Sequence, residues 1–352
     1  MIKQIQLVLC SVLLLMGSVV LVKADDALAE GLKWSPDGRW IVVNTSSGLW
    51  VFDTQNPDAE PKVYYDSEEV RLTAFNPVSD ELAVLITDWN NYTYLHSVLN
   101  LETGEYIVEA NLMGGGGGDS NPIIPTDPIY DLRYSADGSF LAMTLGNLIY
   151  FYDPLSNFNR LLAQYVIFDY YTGGNSVSLA QMGDTSNVLV LSWSSENNLV
   201  LLNPADGIVS SYDTDISNLK TVYAVDETHA LLLTNDASYV FDTDTSEYAL
   251  LATAPEGQSF ETSAYLAASG TLYVGGYGYW QSIDVATGSV KQTVTVETPV
   301  EYTRFVAFDF SPDGSQFVSL QSDGKITIWD SASGESIQEL GSFTGGMNIK
   351  WG

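Results

Sequence analysis

The chain has 352 residues, of which 44 are Asp or Glu and 13 are Lys or Arg, for a formal charge of −31. That balance argues against nucleic acid and anionic membrane as partners, because both need clustered Lys and Arg. Apolar residues make up 45% and aromatics 12%, enough for a large core and too much for a disordered chain.

The first element reads as a targeting segment. Lys3 is its positive flank, and Leu7 to Val22 is apolar apart from Ser11 and Ser18. Val22-Lys23-Ala24 offers a small-residue cleavage site, and Ala27-Leu28-Ala29 a second. The apolar run is shorter than the roughly 20 residues that a membrane helix needs. Residues 1–24 are therefore expected to be a signal peptide, cleaved near Ala24 or Ala29. A secreted or periplasmic protein follows, with no membrane contact in its mature form. Cys10, the only cysteine, lies within this segment, and Leu9 before it is too large for a lipoprotein site. The mature chain then has neither disulfides nor a thiol nucleophile.

From residue 25 to 341 one beat recurs: a strand-like run ends in a large apolar residue, an Asp or Asn, and a turn. The beat falls at Asp53, Asn100, Asp153, Asn203, Asp242, Asp284 and Asp330. A repeat near ~40–45 residues is that of a four-stranded propeller blade. The expected fold is an all-β, seven-bladed β-propeller of four-stranded antiparallel blades. A second mark sits at the start of several repeats: Trp34-Ser35-Pro36-Asp37-Gly38, Tyr134-Ser135-Ala136-Asp137-Gly138 and Phe310-Ser311-Pro312-Asp313-Gly314. In such turns Pro presets φ, Asp closes a side-chain turn and Gly takes the left-handed position. Apolar runs follow, such as Trp40-Ile41-Val42-Val43 and Phe317-Val318-Ser319-Leu320. They suit strands buried on both faces between neighbouring blades.

The last full repeat is the most telling. Ser311-Pro312-Asp313-Gly314, then Asp323-Gly324-Lys325-Ile326-Thr327-Ile328-Trp329-Asp330 and Ser333-Gly334-Glu335, closely resembles a WD repeat. The first and third repeats are near relatives, while the fourth to sixth are carried by spacing alone. This resemblance implies a WD-repeat propeller, in which the recurring Asp or Asn locks the turn after the third strand. The Gly-His dipeptide that begins many WD repeats is missing. The buried Asp–His–Ser–Trp network of that family is therefore not carried over.

Two insertions interrupt the spacing. Gly114 to Gly118 is a run of five glycines, followed by prolines up to Pro128. Phosphate cradling needs a strand before, a helix after and a lysine, so a flexible surface loop is expected. The other, Tyr165 to Asn175, is rich in aromatics and acid. Residues 342–352 form a tail or closing strand, in which Met347 to Trp351 repeats the look of Leu32-Lys33-Trp34.

Catalytic chemistry has few carriers. His96 and His229, the only histidines, both fall in strand surroundings, where a packed role outweighs a triad or zinc site. Asp242-Thr243-Asp244 resembles a calcium-loop start but lacks the glycine and distal Glu such a loop needs. No metal, cofactor or catalytic residue is assigned.

Binding is easier to place. The connections between second and third strands, and between one blade and the next, share one face. There the sequence gathers Trp89, Tyr92, Tyr170, Tyr171, Asp213, Asp215, Tyr277 and Tyr279. Exposed aromatics beside acid suit a protein or glycan partner. Trp280, at a strand start, is expected to pack inside. Lys33, Arg71, Arg133, Lys220 and Arg304 fall in or before inner strands and would line the central channel. There they either balance nearby acid or hold an anionic ligand. The function expected is a secreted, monomeric, non-enzymatic binding or scaffolding propeller. A polysaccharide-cleaving propeller with carboxylate acid and base stands as the alternative.

Overall fold

The computed structural model describes residues 23–25, 29–91, 93–116, 119–122, 129–146, 148–156, 161–166, 176–192, 199–296 and 303–344. Seven antiparallel sheets follow one another in chain order, each built from four consecutive strands. Their inner strands are Ala29–Trp34, Glu69–Phe75, Ile129–Tyr134, Ser176–Gln181, Thr221–Ala224, Thr262–Leu266 and Phe305–Phe310. These sheets are blades 1 to 7.

Alternation along the middle strands explains the ring. In blade 1, Ile41 and Val43 pack against Val318, Leu320 and Ile326 of blade 7. Trp40 and Val42 turn the other way, toward Val70, Leu82 and Val84 of blade 2. Successive strand residues face opposite sides, so a strand between two blades must be apolar on both. Seven apolar clusters result, one at each junction between adjacent blades. Each fully buried Leu, Ile or Val is worth roughly 1.5–3 kcal/mol, so the junctions hold the ring. The junction of blades 6 and 7 is the aromatic one. Phe317 stacks on Trp329 with centroids 6.0 Å apart, and Trp280 meets Phe317 edge-on at 5.0 Å.

Polar staples accompany these contacts. The Trp34 amide donates to Asp309 Oδ2 at 2.7 Å, joining blade 1 to blade 7. The Leu179 amide donates to Asp131 Oδ2 at 2.9 Å, joining blade 4 to blade 3. Thr73 donates to Asn44 Oδ1 at 3.0 Å between blades 2 and 1.

Two features depart from plain repetition. Met113–Gly116 and Asp119–Pro122 pair as an antiparallel hairpin, so the glycine run contributes a β-ribbon where a structureless loop was expected. Lys23–Asp25 lies parallel to the outer strand of blade 7, with Ala24 opposite Phe343, and makes that sheet five-stranded. Residues 1–22 of the expected signal peptide (1–24) and the segment Met347 to Trp351 lie outside the described residues.

Candidate binding surfaces

One face of the ring is a set of locked turns. All seven recurring residues accept a backbone amide two or three positions on. Asp53 takes Gln55 N at 2.9 Å, Asn100 takes Thr103 N at 2.9 Å, and Asp153 takes Leu155 N at 3.2 Å. Asn203 takes Ala205 N at 2.9 Å, Asp242 takes Asp244 N at 2.8 Å, Asp284 takes Thr287 N at 2.9 Å, and Asp330 takes Ser333 N at 2.6 Å. On the same face, the Ser135 hydroxyl donates to Asp137 at 2.7 Å and the Ser311 hydroxyl to Asp313 at 2.7 Å.

These bonds favour the ionised acids. The Ser135 hydroxyl and the Ser139 amide pull Asp137 down to about 2. The Asp244 amide lowers Asp242, the Lys291 ammonium and Thr287 lower Asp284, and the Ser333 amide lowers Asp330. At Asp53 burial pushes upward, but Asn56, the Gln55 amide and Arg39 outweigh it. Asp242 spends Oδ1 on two amides, those of Asp244 and Thr245. It acts as a turn lock.

The opposite face carries the connections singled out for binding. Trp89 is 57% exposed, and its indole N–H donates to Glu69 Oε2 at 2.8 Å. Tyr277 is 40% exposed and its backbone bridges Arg304. Asp213 and Asp215 are exposed, with Asp213 Oδ1 accepting the Asp215 amide at 3.3 Å. Tyr279 departs from the expectation of an exposed anchor. It is 5% exposed, and its hydroxyl donates to Ser259 O at 3.0 Å. The missing side chain of Gly276 makes room, since a Cβ there would lie 2.4 Å from the Tyr279 ring. Trp280 is wholly buried, as expected. Tyr92, Tyr170 and Tyr171 lie outside the described residues.

The channel cations separate into two groups. Arg71 pairs with Glu69 at 2.7 Å and Arg304 with Glu261 at 3.3 Å, both early in or before their inner strands, toward the loop face. Lys220 precedes its strand and donates to Asn235 Oδ1 at 2.7 Å and to the Phe260 carbonyl. Burial pushes its amine down to about 8, against the pull of Glu261 and Asp236. Balancing by acid or polar groups accounts for these three. Lys33 and Arg133 sit at the other end of the channel.

Lys33 and Arg133 share one register position. Lys33 faces Val42, Arg133 faces Ala142, Tyr223 faces Leu231, Tyr265 faces Leu272 and Asp309 faces Val318, each one residue before its inner strand ends. Lys33, Arg133, Tyr223 and Tyr265 border a cavity of about 440 Å³ whose rim includes the turn residues Pro77, Ala136 and Gly183. The cavity is the channel mouth on the locked-turn face. Sequence reading missed the two tyrosines, because blades 5 and 6 lack the Ser-x-Asp-Gly turn that marks this register in blades 1, 3 and 7.

The two histidines differ in setting. His96 is 1% exposed. His229 meets the Asp226 carboxylate at 3.0 Å and the Thr228 hydroxyl at 3.1 Å, both through Nδ1. A triad needs the acid and the nucleophile on different ring nitrogens. Among the described residues no three His, Cys, Asp or Glu gather closely enough to hold a metal ion.

Seven four-stranded blades about a channel define the class: the protein is a seven-bladed β-propeller. The family model of the WD domain, G-beta repeat, matches residues 298–330. The match covers one repeat, and seven four-stranded blades are the architecture that such repeats build. Blade 7 keeps part of the buried network, since Trp329 Nε1 donates to Ser319 Oγ at 2.8 Å. No curated protein matches the chain.

Proposed function

We propose that the protein is a secreted, non-enzymatic binding propeller that captures a protein partner through its loop face. WD-repeat propellers generally bind proteins, and the family is typically one of scaffolds. The observation that carries the reading is Trp89: a large indole, 57% exposed, whose N–H is donated to Glu69. Aromatic anchors of this kind dominate interface energetics. Acids border it, Asp88 in the same turn and Glu69 beneath. A partner with a basic surface fits such a border, and its association would slow as salt rises.

The test is a Trp89→Ala, Tyr277→Ala double variant. Losing one well-buried interface aromatic costs about 2 kcal/mol or more, roughly thirtyfold in affinity. Partners captured by the intact protein should fall away by at least that factor, with the melting temperature unmoved. Unchanged capture would overturn the loop-face reading. Turnover of any member of a glycan panel by the purified protein would overturn the non-enzymatic one.

A further inference from the structure

Lys33 is unusual among the cations of this acidic chain. Arg39, Arg71, Arg133, Lys291, Arg304 and Lys325 all lie within 4.0 Å of a carboxylate. Lys62 lies over the Trp40 ring at 5.5 Å, and Lys220 donates to Asn235. Lys33 has no hydrogen bond, ion pair or ring contact among the described residues, yet it borders the channel cavity. Burial raises the pKa of the Asp309 carboxyl of blade 7 and the Lys33 charge pulls against that rise, but no hydrogen bond or salt bridge among the described residues engages the ammonium in this chain of charge −31.

Arg133 is committed at one end only. Its Nε–H donates to both Asp131 oxygens, at 3.2 and 3.1 Å. No hydrogen bond from its terminal amino groups is present among the described residues. Its side chain keeps 38% of its surface, so the outer edge of the guanidinium faces the cavity. That edge is the planar fork that suits carboxylate or phosphate.

The acids beside these cations are turned into the blades. Asp309 accepts the Trp34 amide at 2.7 Å and the Phe310 amide at 3.0 Å. Asp131 accepts the Leu179 and Leu132 amides, both at 2.9 Å. Asp309 spends its oxygens on backbone and Asp131 on backbone and on Arg133 Nε, while the Arg133 terminal amino groups and the Lys33 ammonium make no hydrogen bond among the described residues. Across the cavity stand Tyr223 and Tyr265, with ring centroids 6.4 Å apart. Tyr223 gives its hydroxyl to Ser263 O at 2.7 Å, so it presents a ring face.

We propose that the locked-turn mouth of the channel is a binding site for a small organic oxyanion with an aromatic body. The oxyanion sits between Lys33 and the terminal amino groups of Arg133, and the body lies against Tyr223 and Tyr265. A volume of about 440 Å³ falls within the range of small-ligand sites. The acidic outer surface does not forbid an anion. The Debye length is about 8 Å at physiological salt, so distant carboxylates are screened while the contacts inside are not. This site is independent of the loop face, and either can fail without the other.

The experiment uses the full chain and three probes: phenyl phosphate, benzoate and inorganic phosphate, each titrated calorimetrically. Saturable 1:1 binding of phenyl phosphate or benzoate is expected, whichever binds tighter identifying the headgroup, with inorganic phosphate at least tenfold weaker. Lys33→Gln should weaken binding at least tenfold while the chain still unfolds in one cooperative transition, any fall in melting temperature being limited to the lost pull on Asp309. Arg133→Lys keeps the charge and the bond to Asp131 but removes the fork, and should weaken binding severalfold. Arg71→Gln and Arg304→Gln should leave it within twofold. Absence of saturable binding by phenyl phosphate and benzoate, or binding that survives Lys33→Gln, overturns the proposal.

Discussion

The two faces of the ring solve the same problem of turning the chain, by different means. On the locked-turn face every blade ends its third strand in an Asp or Asn that accepts amides two or three residues on. On the loop face the connections differ: an exposed Trp in blade 2, a Gly-Gly-Tyr-Gly turn in blade 6, a hairpin between blades 2 and 3. Repetition of one short-range bond makes the first face stable and uniform. Freedom from it leaves the second open to the partner proposed above. Stability should therefore respond to changes at the locks and binding to changes at the loops.

Acid is the broadest way to strain that contrast. Asp53, Asp137, Asp242, Asp284, Asp313 and Asp330 all have folded-state pKa values lowered below the ordinary carboxylate value. An unfolded Asp titrates near about 3.9. Between the two values the unfolded chain holds more protons, so the locks add stability that is complete above about pH 4–5 and lost as pH falls through the folded values. Urea midpoints should be flat from neutral to about pH 5 and drop steeply from about pH 4 to 2. Asn100 and Asn203 already do the same work without a charge. Exchanging Asp53, Asp242, Asp284 and Asp330 for Asn should keep the fold and lower the acid midpoint. An unmoved midpoint would show that the locks do not set acid stability.

Two glycines of blade 3 compare the faces at matched backbone. Gly138, in a lock-face turn, has φ +71°, and a Cβ there would lie 2.5 Å from Asn76 Oδ1 of blade 2. Gly146, in the loop-face turn, has φ +55° and nothing within 4 Å. Alanine at either meets the left-handed penalty of about 1 kcal/mol. Only at position 138 must it also displace Asn76, which accepts from the Val78 amide and donates to Glu81. Gly138→Ala should cost roughly 2–3 kcal/mol in urea unfolding, and Gly146→Ala about 1. Equal losses would mean that the lock face is no more tightly joined between blades than the loop face.

The same contrast decides what could be read from sequence. A lock spans two or three residues, so its Asp or Asn and the turn after it are adjacent in the chain, and seven repetitions counted the blades. Exposure on the loop face depends on distant residues. Tyr277 and Tyr279 look alike in sequence, but Tyr279 is drawn inward by the carbonyl of Ser259, twenty residues earlier. The channel cations sorted themselves by where along the inner strand each falls. Arg71 and Arg304 found acids near the loop face, and at the other mouth Arg133 pairs with Asp131 while Lys33 makes no salt bridge among the described residues. The glycine run became a hairpin through backbone pairing, from Met113 opposite Pro122 to Gly116 opposite Asp119, which no side-chain pattern announces.

The finest comparison sets one lock against one loop-face acid. Asn203 accepts the Ala205 amide at 2.9 Å and donates to Asn187 Oδ1 at 3.0 Å, tying its turn to the neighbouring strand. Asp213 accepts one amide, that of Asp215, at 3.3 Å, in a loop whose φ at Asp215 is already +53°. A hydrogen bond of the first kind is worth about 1 kcal/mol net, and a long exposed contact is worth less than about 0.5. Asn203→Ala should lower stability by about 1–2 kcal/mol, near the range of helix-cap losses that rest on the same side-chain-to-amide bond. Asp213→Ala should fall within the noise of a urea titration. If Asp213→Ala proved the costlier, the loop face would be bearing structural load, and its acids could no longer be read as free to meet a partner.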